Sequence, residues 1–173
     1  ALTVLAALGL AACGATASTG WPSLVTDADL AYVAFNQQVH AVRLADGKEA
    51  WAFPAAPNAS TTGLFFAEPG LSGDLIVIGS EGPTSSYSGV LFGVNPQTGQ
   101  QQWCLAFDKK GAQRQNCPLA DGVSAGGLFG IAAATDNRII GGITLADGTA
   151  YFGLANGRMY AVEAASGKVR WTA

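Results

Sequence analysis

Few side chains in this sequence carry chemistry. Three cysteines stand at 13, 104 and 117, and the single histidine is His40. A structural zinc site draws about four ligands from such residues, and no Cys-x-x-Cys pair is present, so a metal held by them would be short of donors. Cys104 and Cys117 are thirteen apart and flank the polar stretch 108–116. A disulfide closing that stretch is favoured over a metal or redox role, and loop entropy would give it about 3 kcal/mol. His40 occupies a strand position where related segments carry Phe92 and Tyr160, so packing or edge exposure is expected ahead of general-base work. Asp27, Asp29, Asp136 and Asn137 stand beside turns, where such side chains bond nearby backbone amides. Calcium needs about six to eight converging oxygens, and no spacing gathers them. The glycine-rich run 124–130 lacks the Gly-Lys-Ser/Thr and the strand-to-helix context of a phosphate loop. No catalytic, cofactor-binding or metal-binding residue is assigned.

The elements that would position these residues come as a repeat. Segments 39–51, 91–103 and 159–171 share valine, glycine and tryptophan at matching offsets: Val42, Gly47, Trp51; Val94, Gly99, Trp103; Val162, Gly167, Trp171. Each reads as a β-hairpin whose glycine supplies the positive φ that closes the turn. A ring of roughly 150–250 Å² recurring four residues after each glycine is too large for a solvated strand, so each tryptophan is expected to dock on a neighbouring unit. One buried ring would contribute up to roughly 4–6 kcal/mol. Trp171→Ala is accordingly expected to cost about 3–5 kcal/mol.

Composition points the same way. The chain has 173 residues, 49% of them hydrophobic and 12% charged, with 23 glycines, which favours many tight turns over long helices. A net charge of −3 with scattered basic residues gives no electrostatic footprint for nucleic acid.

Residues 1–12 contain an uncharged apolar run, long enough for the core of a signal peptide and too short to span a bilayer. The run ends in Leu10-Ala11-Ala12-Cys13-Gly14, which resembles the lipobox of bacterial lipoproteins. That resemblance implies lipidation of Cys13 and an extracytoplasmic, membrane-anchored protein in a bacterial cell envelope, a compartment where disulfides form. Residues 13–20 then serve as a lipidated cysteine and flexible tether, and 21–173 as the folded part. The first residue is Ala1, with no Met and no basic n-region, so the front of the sequence is expected to be clipped.

Strands are expected over 23–26, 31–35, 39–43 and 48–53. A second set is expected from Phe65-Phe66 onward, then over 75–78, 90–94 and 101–107, and a third over 138–145, 150–154, 158–162 and 169–172. Four antiparallel strands make a propeller blade, giving blades near 21–53, 64–107 and 138–173. These residues resemble the PQQ-like β-propeller repeat family, whose unit ends in an Ala-Leu-Asp-x-x-Thr-Gly-Lys-x-x-Trp type motif. Gly47, Gly99 and Gly167 match the turn glycine, and Trp51, Trp103 and Trp171 the docking ring. Lys48 and Lys168 match the lysine, which Gln100 replaces. The resemblance implies an all-β fold, an incomplete β-propeller. Three blades fall below the typical number of about four to eight, so the sequence is expected to belong to a longer protein, with self-assembly into a ring as the alternative.

Two functions remain. The first is a non-catalytic, protein-binding scaffold lipoprotein, with activity carried by the loop 81–88 and the insertion 108–137 because the blade strands are committed to packing. The second is part of a PQQ-dependent quinoprotein dehydrogenase, and only there would PQQ and calcium be cofactors. Such enzymes commonly carry adjacent cysteines and a stacking tryptophan. This sequence has no adjacent cysteines, and the three repeat tryptophans are explained as docking rings.

Overall fold

A computed structural model describes residues 22–59, 61–82, 88–107, 113–115, 117 and 136–173. Cys13, the apolar leader, the glycine-rich run 124–130 and most of the two long connections lie outside the described residues. All regular structure among the described residues is strand. Blade 1 comprises β1 (Ser23–Thr26), β2 (Leu30–Phe35), β3 (Gln38–Arg43) and β4 (Glu49–Phe53), each paired antiparallel to the next. Blade 2 comprises β5 (Gly70–Ser72), β6 (Leu75–Ser80), β7 (Val90–Val94), β8 (Gln101–Phe107) and a fifth strand, β9 (Gln113–Gln115). Blade 3 comprises β10 (Thr144–Ala146), β11 (Thr149–Gly153), β12 (Met159–Glu163) and β13 (Val169–Thr172). The fold is an all-β propeller segment of three blades.

Local chemistry explains the hairpins. The Asp27 carboxylate accepts from the Asp29 and Leu30 amides at 2.8 and 2.7 Å and closes the first turn. Asn36, at φ 58°, supplies the left-handed residue of the β2–β3 turn, and Asp147-Gly148 (φ 48° and 69°) makes the two-residue turn of β10–β11. Each third-to-fourth-strand pairing carries a register shift at the same place, Ala41/Val42, Gly93/Val94 and Ala161/Val162. The repeat is therefore structural as well as sequential.

Side chains alternate across each sheet and build two core layers. Between blades 1 and 2, Tyr32, Ala34, Val39, Trp51 and Phe53 meet Phe65, Ile76, Ile78, Phe92, Val94 and Cys104. Between blades 2 and 3, Val77, Leu91, Leu105 and Phe107 meet Phe152, Tyr160 and Val162. The apolar run at Leu75–Ser80 is covered on both faces, as its sequence implied.

Three expectations are corrected. Phe65-Phe66 opens no strand. Phe65 is fully buried as a plug between Phe53 and Phe92, and the first strand of blade 2 is the three-residue β5. Of the expected strand over 138–145, only Thr144–Ala146 opens blade 3, while Asn137 and Ile139 hydrogen-bond back to blade 2. The strand β9, which widens blade 2, had no periodic signal. Trp171, in the last strand described, is 44% exposed.

Candidate recognition rim

Antiparallel strands put alternate connections at opposite ends of a blade. The β1–β2 and β3–β4 turns and their equivalents share one rim. The β2–β3 connections and the links between blades share the other. Trp51 and Trp103 tie the first rim together. The Trp51 indole N–H donates to the Pro96 carbonyl at 2.8 Å, and Trp103 donates to the Ala164 carbonyl at the same distance. Each ring lies on the next blade's turn glycine. Gly99 and Gly167 both have φ 71°, and a Cβ on them would stand 2.7 Å from Trp51 Cδ2 and 2.6 Å from Trp103 Cε3. Glycine is thus required twice over, for its backbone angle and for the ring above it. Trp51 and Trp103 thus rest against the following blade, and Gly47, Gly99 and Gly167 all have positive φ.

The opposite rim carries every long connection. The β6–β7 loop and the β8–β10 insertion both leave from it, as do the link from β4 to β5 and the β2–β3 turn. A line of backbone bonds stitches it across all three blades. Phe65 N–H donates to Asn36 O at 2.6 Å, Glu81 N–H to Leu64 O at 2.8 Å, Gly89 N–H to Asn137 O at 3.0 Å and Ala155 N–H to Arg138 O at 2.9 Å. Asn137 is fully buried, and its Oδ1 accepts from Asn156 Nδ2 at 2.7 Å. The Asp136-Asn137 pair therefore joins two blades, a larger role than the simple turn expected from its residue types.

Arg138 is the electrostatic centre of this rim. Its Nε and Nη2 fork onto the Asp136 carboxylate at 2.8 and 2.7 Å, and its Nη1 reaches Glu81 Oε1 at 3.4 Å. The guanidinium holds Asp136 below the usual carboxylate range. Burial pushes Glu81 upward, with the Arg138 charge opposing it. Arg138 thereby clamps the return of the insertion to the root of the β6–β7 loop. Apolar side chains stand on the same rim. Phe35, at the end of β2, is partly exposed and packs edge-on to Phe66 with centroids 6.5 Å apart, and Ile140 is exposed two residues beyond Arg138. Aromatic residues and arginine are among the types enriched in protein interfaces.

Cys104 and Cys117 form a disulfide, with Cα atoms 5.8 Å apart. Cys104 is buried in the layer between blades 1 and 2, so the bridge fastens the far side of the excursion after β8 to the core. His40 is half-exposed, with Nδ1 2.7 Å from Glu49 Oε2. Among the described residues no group of three or more His, Cys, Asp and Glu side chains converges on a common point. An open groove between blades 2 and 3, lined by Asp74, Gln102, Glu163 and Arg170, lies toward the tryptophan rim, away from the loops. Sequence reasoning missed the Arg138 clamp and the Phe35–Phe66 pair. The adjacency of Asp136 and Arg138 was a signal for the first, and nothing local announced the second.

A family model described as outer membrane protein assembly factor BamB matches residues 12–126 and 88–173. No curated protein matches the sequence significantly. Similar solved structures include BamB from Moraxella catarrhalis (15% identity, TM-score 0.53), covering 87% of this chain and 34% of that one. Quinohemoprotein alcohol dehydrogenase from Comamonas testosteroni (17% identity, TM-score 0.57) covers 87% of this chain and 20% of its own. A europium-containing methanol dehydrogenase (16% identity, TM-score 0.61) covers 87% and 31%. The chain thus spans about a third or less of the length of these structures. At such identities the likeness is one of fold.

Proposed function

Because the chain belongs to the outer membrane protein assembly factor BamB family, we propose that it is part of a non-catalytic scaffold that binds proteins in the bacterial cell envelope, extracytoplasmic and anchored through a lipid on Cys13. The observation that carries this reading is the rim on which every long connection emerges. There the Arg138 clamp, the Phe35–Phe66 pair and Ile140 lie on a backbone held rigid across three blades. Recognition is commonly carried by connections on a rigid scaffold, and mixed aromatic, aliphatic and arginine side chains bury well against a partner. The described ends of the loop 81–88 and of the insertion 108–137 lie at this same rim, and their middle parts lie outside the described residues.

The alternative, a portion of a PQQ- and calcium-dependent dehydrogenase, shares the fold. Among the described residues Cys104 and Cys117 are bonded within one blade, and Trp51 and Trp103 are committed to neighbouring turns. Two experiments test the proposal. In the complete precursor, Cys13→Ser should abolish fatty-acid labelling and release the protein from membranes, and unchanged labelling would remove the anchor. For recognition, partner capture from envelope extract should fall with Phe35→Ser plus Ile140→Ser while the thermal melt stays near wild type. Loss of capture only in step with loss of folded protein would count against the rim. Quinone absorbance on titration with PQQ and calcium would instead favour the dehydrogenase.

A further inference from the structure

The rim opposite the long connections carries two grooves that repeat one another. Between blades 2 and 3 an open groove of about 480 Å³ is lined by Asp74, Leu75 and Gln102 from blade 2 and by Glu163, Ala165 and Arg170 from blade 3. Between blades 1 and 2 a second, of about 360 Å³, is lined by Asp29, Leu30, Arg43 and Ala50 from blade 1 and by Gln97 from blade 2. Strand register shows that the two are built alike. Leu30 directly precedes Ala31, which faces Val42, and Leu75 directly precedes Ile76, which faces Val94. Val42 and Val94 hold the same place in the repeat, so Asp29-Leu30 and Asp74-Leu75 are equivalent pairs. Ala50 and Gln102 are the extra residues of the equivalent bulges before Trp51 and Trp103. Each groove is walled on both sides by blades of this chain.

The charged groups of the grooves divide into engaged and unengaged ones. Arg43 forks onto Asp46 at 3.1 and 3.2 Å, and Arg170 faces Glu163 at 3.9 Å. Asp29 and Asp74 are exposed, and neither side chain has an ion pair or hydrogen bond among the described residues. What each groove leaves over is a carboxylate beside a leucine. An anion would meet that carboxylate and a guanidinium already committed. A divalent metal needs about six to eight oxygens, more than one carboxylate and an amide supply. A long basic side chain suits both features, because its alkyl stem can lie along the leucine while its charged end reaches the carboxylate. The amides of Gln97 and Gln102 stand at the groove edges, able to donate to and accept from a peptide backbone.

We propose that the two grooves form a second binding surface, for an extended polypeptide segment carrying lysine or arginine. One basic side chain enters each groove, with its stem on Leu30 or Leu75 and its cation on Asp29 or Asp74. Charge complementarity and repetition set the occupant: the same leucine and carboxylate recur one blade apart, so a chain with spaced cations meets both where a lone cation meets one. The surface lies on the tryptophan rim, away from the loops, so it stands or falls separately from the recognition rim assigned above.

The test is fluorescence anisotropy of a labelled peptide of alternating lysine and alanine, with its glutamate counterpart as control, titrated with the complete protein at low ionic strength. The lysine peptide should bind and the glutamate peptide should not. Asp29→Asn and Asp74→Asn should each weaken binding by about threefold, and together by about tenfold, with thermal melts unchanged. Glu68→Gln removes the same charge at an exposed position on the opposite rim and should leave binding as it is. Arg170→Gln releases Glu163 and should strengthen binding. Equal losses for Glu68→Gln and the groove variants would overturn the proposal, since net charge alone would then be at work. So would a lysine peptide that does not bind, a double variant that binds as well as wild type, weaker binding by Arg170→Gln, or the polyamine spermine bound as tightly as the peptide.

Discussion

Replacing each docking tryptophan by alanine should reveal a gradient along the stack. Trp51 is 9% exposed, lies on Gly99 and donates to Pro96 O at 2.8 Å, so Trp51→Ala removes a buried ring and leaves a carbonyl without its donor. Large-to-small changes of this kind cost about 3–5 kcal/mol, of which the hydrogen bond accounts for about 1. Trp171 is 44% exposed and rests mainly on Tyr151, so roughly half of its surface gains nothing from folding. At about 25 cal/mol per Å² the remaining burial supports a loss of about 1–2 kcal/mol. The assay is denaturant unfolding followed by far-ultraviolet circular dichroism. In thermal melts the difference should appear as several degrees, since about 1 kcal/mol shifts a chain of this size by about 2–4 °C. Equal losses for Trp51→Ala and Trp171→Ala would refute the reasoning, because exposure would then not govern the contribution of the ring.

Gly99→Ala should destabilise more than Gly47→Ala: both pay the positive-φ strain of about 1–2 kcal/mol, but only the first drives a Cβ into an indole ring, and matched chemical melts of the two would show it. Reducing the Cys104–Cys117 bridge should lower stability by about 3 kcal/mol, judged from melts with and without reductant, and intact mass should rise by about two daltons. Arg138→Ala should change the pH profile. Asp136 is held low by the guanidinium, so its contribution is present above its unfolded pKa and lost as pH falls through the folded one. Glu81 is raised by burial, so its ionisation opposes folding as pH rises, and without Arg138 that opposition should grow. The variant should therefore lose most stability near neutral pH and recover part of it in mild acid, where Glu81 is protonated. A constant deficit across pH would show that the clamp acts by packing alone.

Several features were legible without coordinates because their causes lie within a few residues. The third-to-fourth-strand hairpin of each blade is set by a glycine that alone tolerates the turn angle, and by a tryptophan at fixed offset. Those two residue types announced the repeat and the propeller. Asp27 closing its turn is equally local. The pairing of Cys104 with Cys117 was legible from their spacing, from the polar stretch they flank and from the compartment implied by the leader.

What only the tertiary structure decided are features whose energy comes from distant partners. The inner strands Gly70–Ser72 and Thr144–Ala146 are three residues long and have no period of their own, so a neighbouring strand defines them. Phe65-Phe66 looked like a strand because aromatic residues suit one, yet Phe65 gains more by filling the space between Phe53 and Phe92. Arg138 meets Glu81 across 57 residues, and Phe35 meets Phe66 across a blade boundary, separations at which composition carries no information. The three tryptophans are equivalent in sequence. Which carbonyl a ring meets, Pro96 O for Trp51 and Ala164 O for Trp103, is a property of packing.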